Sequence, residues 1–158
     1  MHSFNNTYTS IGTVNDEVEV KFVKTHPDEK LPTKAYEDDN CFDLYSVEEV
    51  SIYAKDSAIV PVGLTCAYIS PGFGFVIRPR SGLGFKAGLQ PHLGEIDNGY
   101  KNDLAVKIYN FSNTDYKVSK GDRIAQIKIE KVWKTKVSFV EKIVPSLRGE
   151  KGFGSSGK

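Results

Sequence analysis

Apolar and polar residues alternate along much of this chain with the two-residue period of a strand that buries one face. Val18, Val20 and Phe22 alternate with charged neighbours, and comparable short segments return near residues 42–46, 48–53, 57–62, 64–69, 73–79, 103–109, 122–133 and 137–144. Turn-forming groups stand between them: Pro71-Gly72, Asn98-Gly99 and Lys120-Gly121-Asp122. Near the last of these, Ile127 and Ile129 alternate with Gln126, Lys128 and Glu130. No stretch sustains a helical period, and the pattern leaves room for one short helix after Ser81. Many short strands at close spacing predict an all-β fold, a jelly-roll-like barrel or sandwich.

Residues 1–17 are polar and irregular and read as a loose N-terminal arm. The β domain is expected over residues 18–145, and a glycine-rich C-terminal arm over 146–158, with no internal repeat, linker or second domain. Residues 57–77 carry no charged side chain, a run long enough on paper to span a bilayer. Pro61, Gly63, Pro71, Gly72 and Gly74 interrupt it, so buried strands joined by turns explain it better than a membrane helix.

Composition narrows the function classes. Of 158 residues, 39% are hydrophobic and 26% charged, which suits one domain with a real core. The 21 basic residues nearly match the 20 acidic ones, so no broad electrostatic footprint for nucleic acid follows, and basic groups at a site must act locally on something small and anionic. The start of the sequence has no apolar signal stretch. A cytoplasmic setting with Cys41 and Cys66 as free thiols is therefore expected. The scattered His2, His26 and His92 make no metal-ligand spacing with the cysteines, so zinc is not expected.

The last eleven residues, Arg148-Gly-Glu-Lys-Gly-Phe-Gly-Ser-Ser-Gly-Lys158, cannot build a core. Glycines let backbone N–H groups approach a phosphate, serine hydroxyls add donors, and Arg148 adds a fixed charge on a bidentate fork. Phe153, between Gly152 and Gly154, offers a flat apolar ring suited to cover a base. The tail reads as a lid over a phosphorylated, ring-containing molecule. Its G-x-x-x-x-G-K spacing is not a P-loop, because that motif needs a preceding strand, a Ser/Thr after the lysine and a following helix.

Five segments put polar or glycine residues where a β core would not want them. They are Asn40-Cys-Phe-Asp-Leu-Tyr-Ser46, Pro79-Arg-Ser-Gly-Leu83, Gly94-Glu-Ile-Asp-Asn-Gly-Tyr100, Gly121-Asp-Arg-Ile-Ala-Gln126 and the tail. In this order they resemble the five motifs of the trimeric dUTPase family, the deoxyuridine-triphosphate nucleotidohydrolases. Leu31-Pro-Thr-Lys-Ala35 is similar to that family as well, so the resemblance covers about residues 18 to 158. It implies hydrolysis of dUTP to dUMP and pyrophosphate, limiting uracil in DNA and supplying dUMP for dTMP synthesis. It also implies Mg²⁺ on the triphosphate, a jelly roll, and a homotrimer in which each site borrows a neighbour's C-terminal arm.

The resemblance then assigns roles. Asp97 would be the base that activates water; as a plain Asp-Asn-Gly it could equally cap a turn. Ile96-Asp97 before Asn98-Gly99 reads as a strand entering a hairpin turn. Tyr100 would pack on the deoxyribose, and backbone groups around Gly94 to Ile96 would read uracil. Arg80, Ser81 and Gly82 would grip phosphate oxygens, a sensible use of a guanidinium, a hydroxyl and a flexible backbone. Gln126 would bond the phosphate chain. Arg148 would meet the γ-phosphate, Phe153 would stack over uracil, and Gly154, Ser155 and Ser156 would complete the phosphate lid. Asp43, between Phe42 and Leu44, faces away from two core residues on a strand and would contact the Mg²⁺ shell through water. Asp122 and Arg123 are expected to form a structural pair that fixes their turn. Arg78 and Lys86 read as plain surface cations.

The chain also departs from the pattern. Asn40-Cys41 replaces a small residue and glycine, Lys101-Asn102 replaces Arg-Gly, Lys151 stands at a frequent glycine, and Leu89-Gln-Pro-His-Leu93 is unusual before the uracil segment. Two rivals remain. A dCTP deaminase shares the architecture but needs a glutamate where Lys107 stands. A dUTPase-like regulatory protein, with nucleotide as its switch and a protein partner, would not need the base.

Overall fold

The computed structural model describes residues 17–147 and Gly149. Its strands are β1 (Val20–Lys24), β2 (Phe42–Tyr45), β3 (Val50–Ile52), β4 (Ser57–Ile69), β5 (Phe73–Arg78), β6 (Leu89–Pro91), β7 (Glu95–Ile96), β8 (Asp103–Asn110), β9 (Tyr116–Val118) and β10 (Arg123–Lys131), with one helix, α1 (Ser81–Ala87). All strand pairs are antiparallel. They form a four-stranded sheet ordered β1-β4-β8-β6, a second ordered β2-β10-β5-β7, and the pair β3-β9. The inner faces share one core, with Val60, Val62, Val106 and Ile108 from the first sheet and Leu44, Phe75, Ile77 and Ile127 from the second. The fold is all-β and jelly-roll-like, as the alternation predicts.

Alternation places the core residues. In β8, Leu104, Val106, Ile108 and Asn110 are buried while Asp103, Ala105 and Lys107 are exposed. The buried amide of Asn110 is satisfied: Nδ2 donates to the carbonyls of Ile52 and Thr114, and Oδ1 accepts from Ser112.

β4 runs where two strands were expected, over 57–62 and 64–69. The chain stays in the sheet because Gly63 takes φ +68°, a conformation glycine adopts at little cost, and makes an irregularity rather than a turn. Against β8 the register jumps between Pro61 and Thr65; against β1 it jumps so that Ala67 has no partner between Cys66 and Tyr68. That leftover residue moves the inward face from Val62, Leu64 and Cys66 to Ile69. Cys66 and the half-buried Cys41 are both free thiols, and burial pushes the Cys66 thiol up.

The helix appears where it was allowed. Arg80 is its extended N-cap, Gly88 closes it in the left-handed conformation at φ +67°, and Lys86 sits in the last turn, where a cation is favoured. The short strands β6, β7 and β9 have too few residues to show a period. The segment 137–144 differs from expectation: it forms no strand, and residues 131–147 are exposed. Of the expected N-terminal arm, only Glu17 lies within the described residues. Among them, no helix is long and apolar enough to cross a membrane.

A Cβ on Gly63 would lie 2.7 Å from the Cβ of His26 and 3.0 Å from Val47 Cγ1, in a backbone conformation that side chains avoid. Gly63→Ala is expected to lower stability by about 1–3 kcal/mol, seen as a reduced denaturant midpoint without loss of the β-type circular dichroism spectrum.

Candidate active site

The first cluster forms around Asp43. Strand β2 pairs with β10 so that Asp43 lies opposite Gln126, and β10 pairs with β5 so that Gln126 lies opposite Arg78. Asp43 is 4% exposed. Its Oδ1 accepts from Arg80 Nε and from Gln126 Nε2, both at 3.1 Å, and its Oδ2 accepts from Arg123 Nη1 at 3.3 Å. Arg80 also donates to the Arg123 carbonyl at 3.2 Å. Backbone bonds between Thr33 and Asp43 lay the 31–35 segment alongside. Two guanidinium groups on one carboxylate leave a formal excess of positive charge, which suits a phosphate chain.

Arg80 leads directly into α1, so Ser81 and Gly82 sit beside it at the exposed start of the helix. The first i→i−4 bond is Gly84 N–H to the Arg80 carbonyl at 3.1 Å, which leaves the earlier N–H groups outside the helical ladder. A groove of about 310 Å³ lies there, lined by Pro79, Arg80, Ser81, Gly84, Phe85 and Gln90. Arg80, Ser81, Gly82 and Gln126 therefore gather near one end of β5.

The second cluster is the turn that carries Asp97. Ile96 and Glu95 pair with Phe75 and Val76 of β5, and Gly94 accepts from Ile77 N–H at 2.8 Å. Gly74 permits the approach, since a Cβ there would meet the Ile96 carbonyl at 3.0 Å. Asp97 is exposed, and Tyr100 N–H donates to its carbonyl at 3.0 Å to close the turn. Tyr100 leaves its ring accessible while its hydroxyl donates to the Asp103 carbonyl at 3.2 Å. The expected hairpin is absent: β7 belongs to one sheet and β8 to the other, so the turn is a corner between sheets.

The two clusters do not meet within one chain. Asp97 follows Ile96 beside Gly74, whereas Gln126 lies opposite Arg78 on the other side of β5. Four strand residues and two strand spacings separate them, about 13 Å along and roughly 10 Å across. Arg148, Phe153, Gly154, Ser155 and Ser156 lie outside the described residues.

Several details differ from expectation. Asp43 is buried under donors instead of facing solvent, because Arg80 and Arg123 reach over it from distant segments. Arg123 bonds Asp43 rather than Asp122, whose carboxylate accepts from Ser119 N–H at 2.8 Å and closes the turn alone. Arg78 donates to Glu130 Oε1 at 3.1 Å; this contact is the main reason the Glu130 carboxyl is held below its ordinary value. Neither Asn98 nor Lys101 stood out as a functional candidate in the sequence, yet both hold the Asp97 corner through side-chain bonds to carbonyls.

The arrangement does not fit a metal held by a protein cage. Asp43 already receives three donors with its side chain 6% exposed, and no group of three His, Cys, Asp or Glu among the described residues could hold a cation.

Three comparisons bear on the chain as a whole. The family model described as dUTPase matches residues 28–157. A deoxyuridine 5'-triphosphate nucleotidohydrolase of Helicobacter hepaticus is 37% identical over 140 residues, covering 87% of this chain and 88% of that protein. One from Oryza sativa subsp. japonica is 41% identical over 116 residues, covering 73% and 67%. Among solved structures, a mutant dUTPase of Staphylococcus bacteriophage 80alpha with dUpNHpp superposes with a TM-score of 0.80 at 26% identity, covering 90% of this chain and 99% of that one. A chain matched by this family over residues 28–157, with the polar residues of its described motifs gathered at two corners of a jelly roll, belongs to the dUTPase family.

Proposed function

We propose that this enzyme hydrolyses dUTP to dUMP and pyrophosphate, with Asp97 as the general base. The observation that carries the reading is the convergence of Arg80, Arg123, Gln126 and the start of α1 around the buried Asp43, a cationic cluster where β2, β5 and β10 meet. Asp97 is exposed, as a base that must receive water needs to be. It takes a proton from water as the oxygen bonds the α-phosphorus; the bond to the bridging oxygen breaks, and pyrophosphate leaves with that oxygen. General-base help of this kind is typically worth about 10²–10⁴-fold. Arg80, Ser81, Gly82 and Gln126 hold the phosphates, Tyr100 packs on the deoxyribose, and the backbone from Gly94 to Ile96 reads the base. Asp43 acts by orienting Arg80 and Gln126. A Mg²⁺ ion carried by the triphosphate would neutralise part of its charge, and among the described residues no group of acids forms a cage for it. The product role follows: less dUTP for incorporation into DNA and more dUMP for dTMP synthesis.

The separation of the two clusters supports sites built between copies of the chain, in a homotrimer. The exposed segment 131–147 supports it too. Val137, Phe139, Ile143 and Leu147 are each at least 88% exposed, which one copy alone would leave in water. An arm that leaves the body after β10 would bring Arg148, Phe153, Gly154, Ser155 and Ser156 to a neighbour's nucleotide. Closing there expels water and strengthens each ionic contact.

Pyrophosphate release with magnesium present is expected for dUTP, with UTP and dTTP barely used. Asp97→Asn should lower kcat at least about 10²-fold while dUpNHpp affinity, measured by calorimetry, stays nearly unchanged. A chain ending at Leu147 should remain a trimer in sedimentation yet lose most turnover; one ending at Lys131 should lose the assembly. Asp43→Ala should lower stability by about 3 kcal/mol, because Arg80 loses its buried partner, and should raise KM for dUTP in steady-state assays.

A further inference from the structure

The corner that carries Asp97 is anchored by very little ladder. β7 contributes two paired residues before it, and Asn98, Gly99, Tyr100, Lys101 and Asn102 are all exposed before β8 begins. Something other than sheet pairing must fix the backbone to which Asp97 is attached. The side chain of the next residue does so. The two hydrogens of Asn98 Nδ2 are shared among the carbonyls of Ile69 at 3.2 Å, Ser70 at 3.1 Å and Phe73 at 3.0 Å.

Those carbonyls flank the turn between β4 and β5, which is closed by Phe73 N–H to the Ser70 carbonyl at 3.2 Å and has Gly72 at φ +80°. β4 lies in one sheet and β5 in the other, so this turn is also a sheet-to-sheet corner. Asn98 thus ties two such corners together, one carrying the chain each way. Lys101 adds a second tie: its Nζ donates to the Asn98 carbonyl at 3.0 Å and to the Cys66 carbonyl at 3.3 Å, back on β4. The same turn marks the exit of the arm, because Gly72 accepts from Val132 N–H at 2.7 Å directly after β10 ends.

We propose that Asn98 is a positioning residue that fixes the Asp97 backbone and locks it to the point where the C-terminal arm leaves the body. An asparagine that merely satisfied exposed turn carbonyls would be replaceable by water. This one gathers carbonyls from the end of one strand and the start of the next, and its own carbonyl is held by Lys101. A base displaced by about 1 Å loses on the order of 10²-fold in rate. Loss of the clamp therefore acts on kcat more than on nucleotide binding. The inference rests on Asp97 being the base, and its test separates the two.

Asn98→Ala and Asn98→Asp are compared with the unaltered protein and with Asp97→Asn, each checked for folding and assembly. Asn98→Ala is expected to lower kcat for dUTP about tenfold or more while KM changes within about threefold. Asn98→Asp, which turns a donor into an acceptor facing three carbonyls, is expected to lose at least as much. Hydrogen exchange at the Val132 amide is expected to quicken severalfold in both, a readout independent of Asp97. If Asn98→Ala does not fold, Asn98→Ser, which keeps one donor, is expected to fold and to show an intermediate kcat. Unchanged kcat and unchanged Val132 exchange in a folded variant would overturn the inference while leaving Asp97 as the base. Failure of Asp97→Asn to reduce turnover, with faster Val132 exchange in Asn98→Ala, would remove the base and leave the clamp.

Discussion

One buried carboxylate organises the end of this molecule where β2, β10 and the entry to α1 meet. An ionised Asp43 inside the fold would be prohibitively costly on its own, and it is tolerated because Arg80, Arg123 and Gln126 all donate to it. Each donor comes from a different place: the residue before α1, the start of β10 and its middle. Satisfying the acid therefore requires β2, β10 and the α1 entry to be correctly assembled, and their assembly leaves two guanidinium groups crowded together. The structural requirement coincides with the proposed functional one. The positive charge that offsets the burial of Asp43 is also the charge that would make the finished surface receptive to phosphate.

At the other end the constraint is different. The Asp97 corner contains no buried ion pair, and its stiffness comes from amide and ammonium donors capping carbonyls at sheet-to-sheet crossings. A carboxylate that is to receive water has to stay exposed, so packing cannot hold it. Hydrogen bonds from residues on either side of it can. The two ends of β5 thus show two ways of holding an acid, one by enclosing it and one by bracing the chain around it.

Much of this was legible in the sequence because alternation is a local signal. The period-two pattern places β1, β8 and β10, the dipeptides place the turns, and Ser81 opens the helix. What escaped was decided over long range. Gly63 looks like a turn between two strands, yet its left-handed backbone sits inside one strand, because β8 pairs with residues 57–61 before it and Thr65 after it, while β1 pairs from Leu64 onward. Arg123 follows Asp122 in sequence, which suggests a pair between them. Asp122 lies in the turn and folds its carboxylate back onto the Ser119 N–H, while Arg123, the first residue of β10, reaches Asp43 on β2. The alternation at 137–144 is real, but no strand within the described residues pairs with it. The candidate site residues come from motif order; that they divide into two clusters is not visible there, since spacing along the chain says nothing about which strand ends lie together in space.

The apolar stretch that follows β10 also has a less welcome side. Unpaired backbone carrying Val137, Phe139, Val140 and Ile143 is a template on which any stray strand could form, the usual route to promiscuous self-association. Lys134, Lys136, Glu141, Lys142 and Pro145 punctuate it. Such gatekeepers raise the penalty for haphazard stacking, through charge repulsion and a missing donor, while a dedicated receptor can still accommodate them. The spacing of these residues is thus a safeguard for any interval in which the stretch stands uncovered.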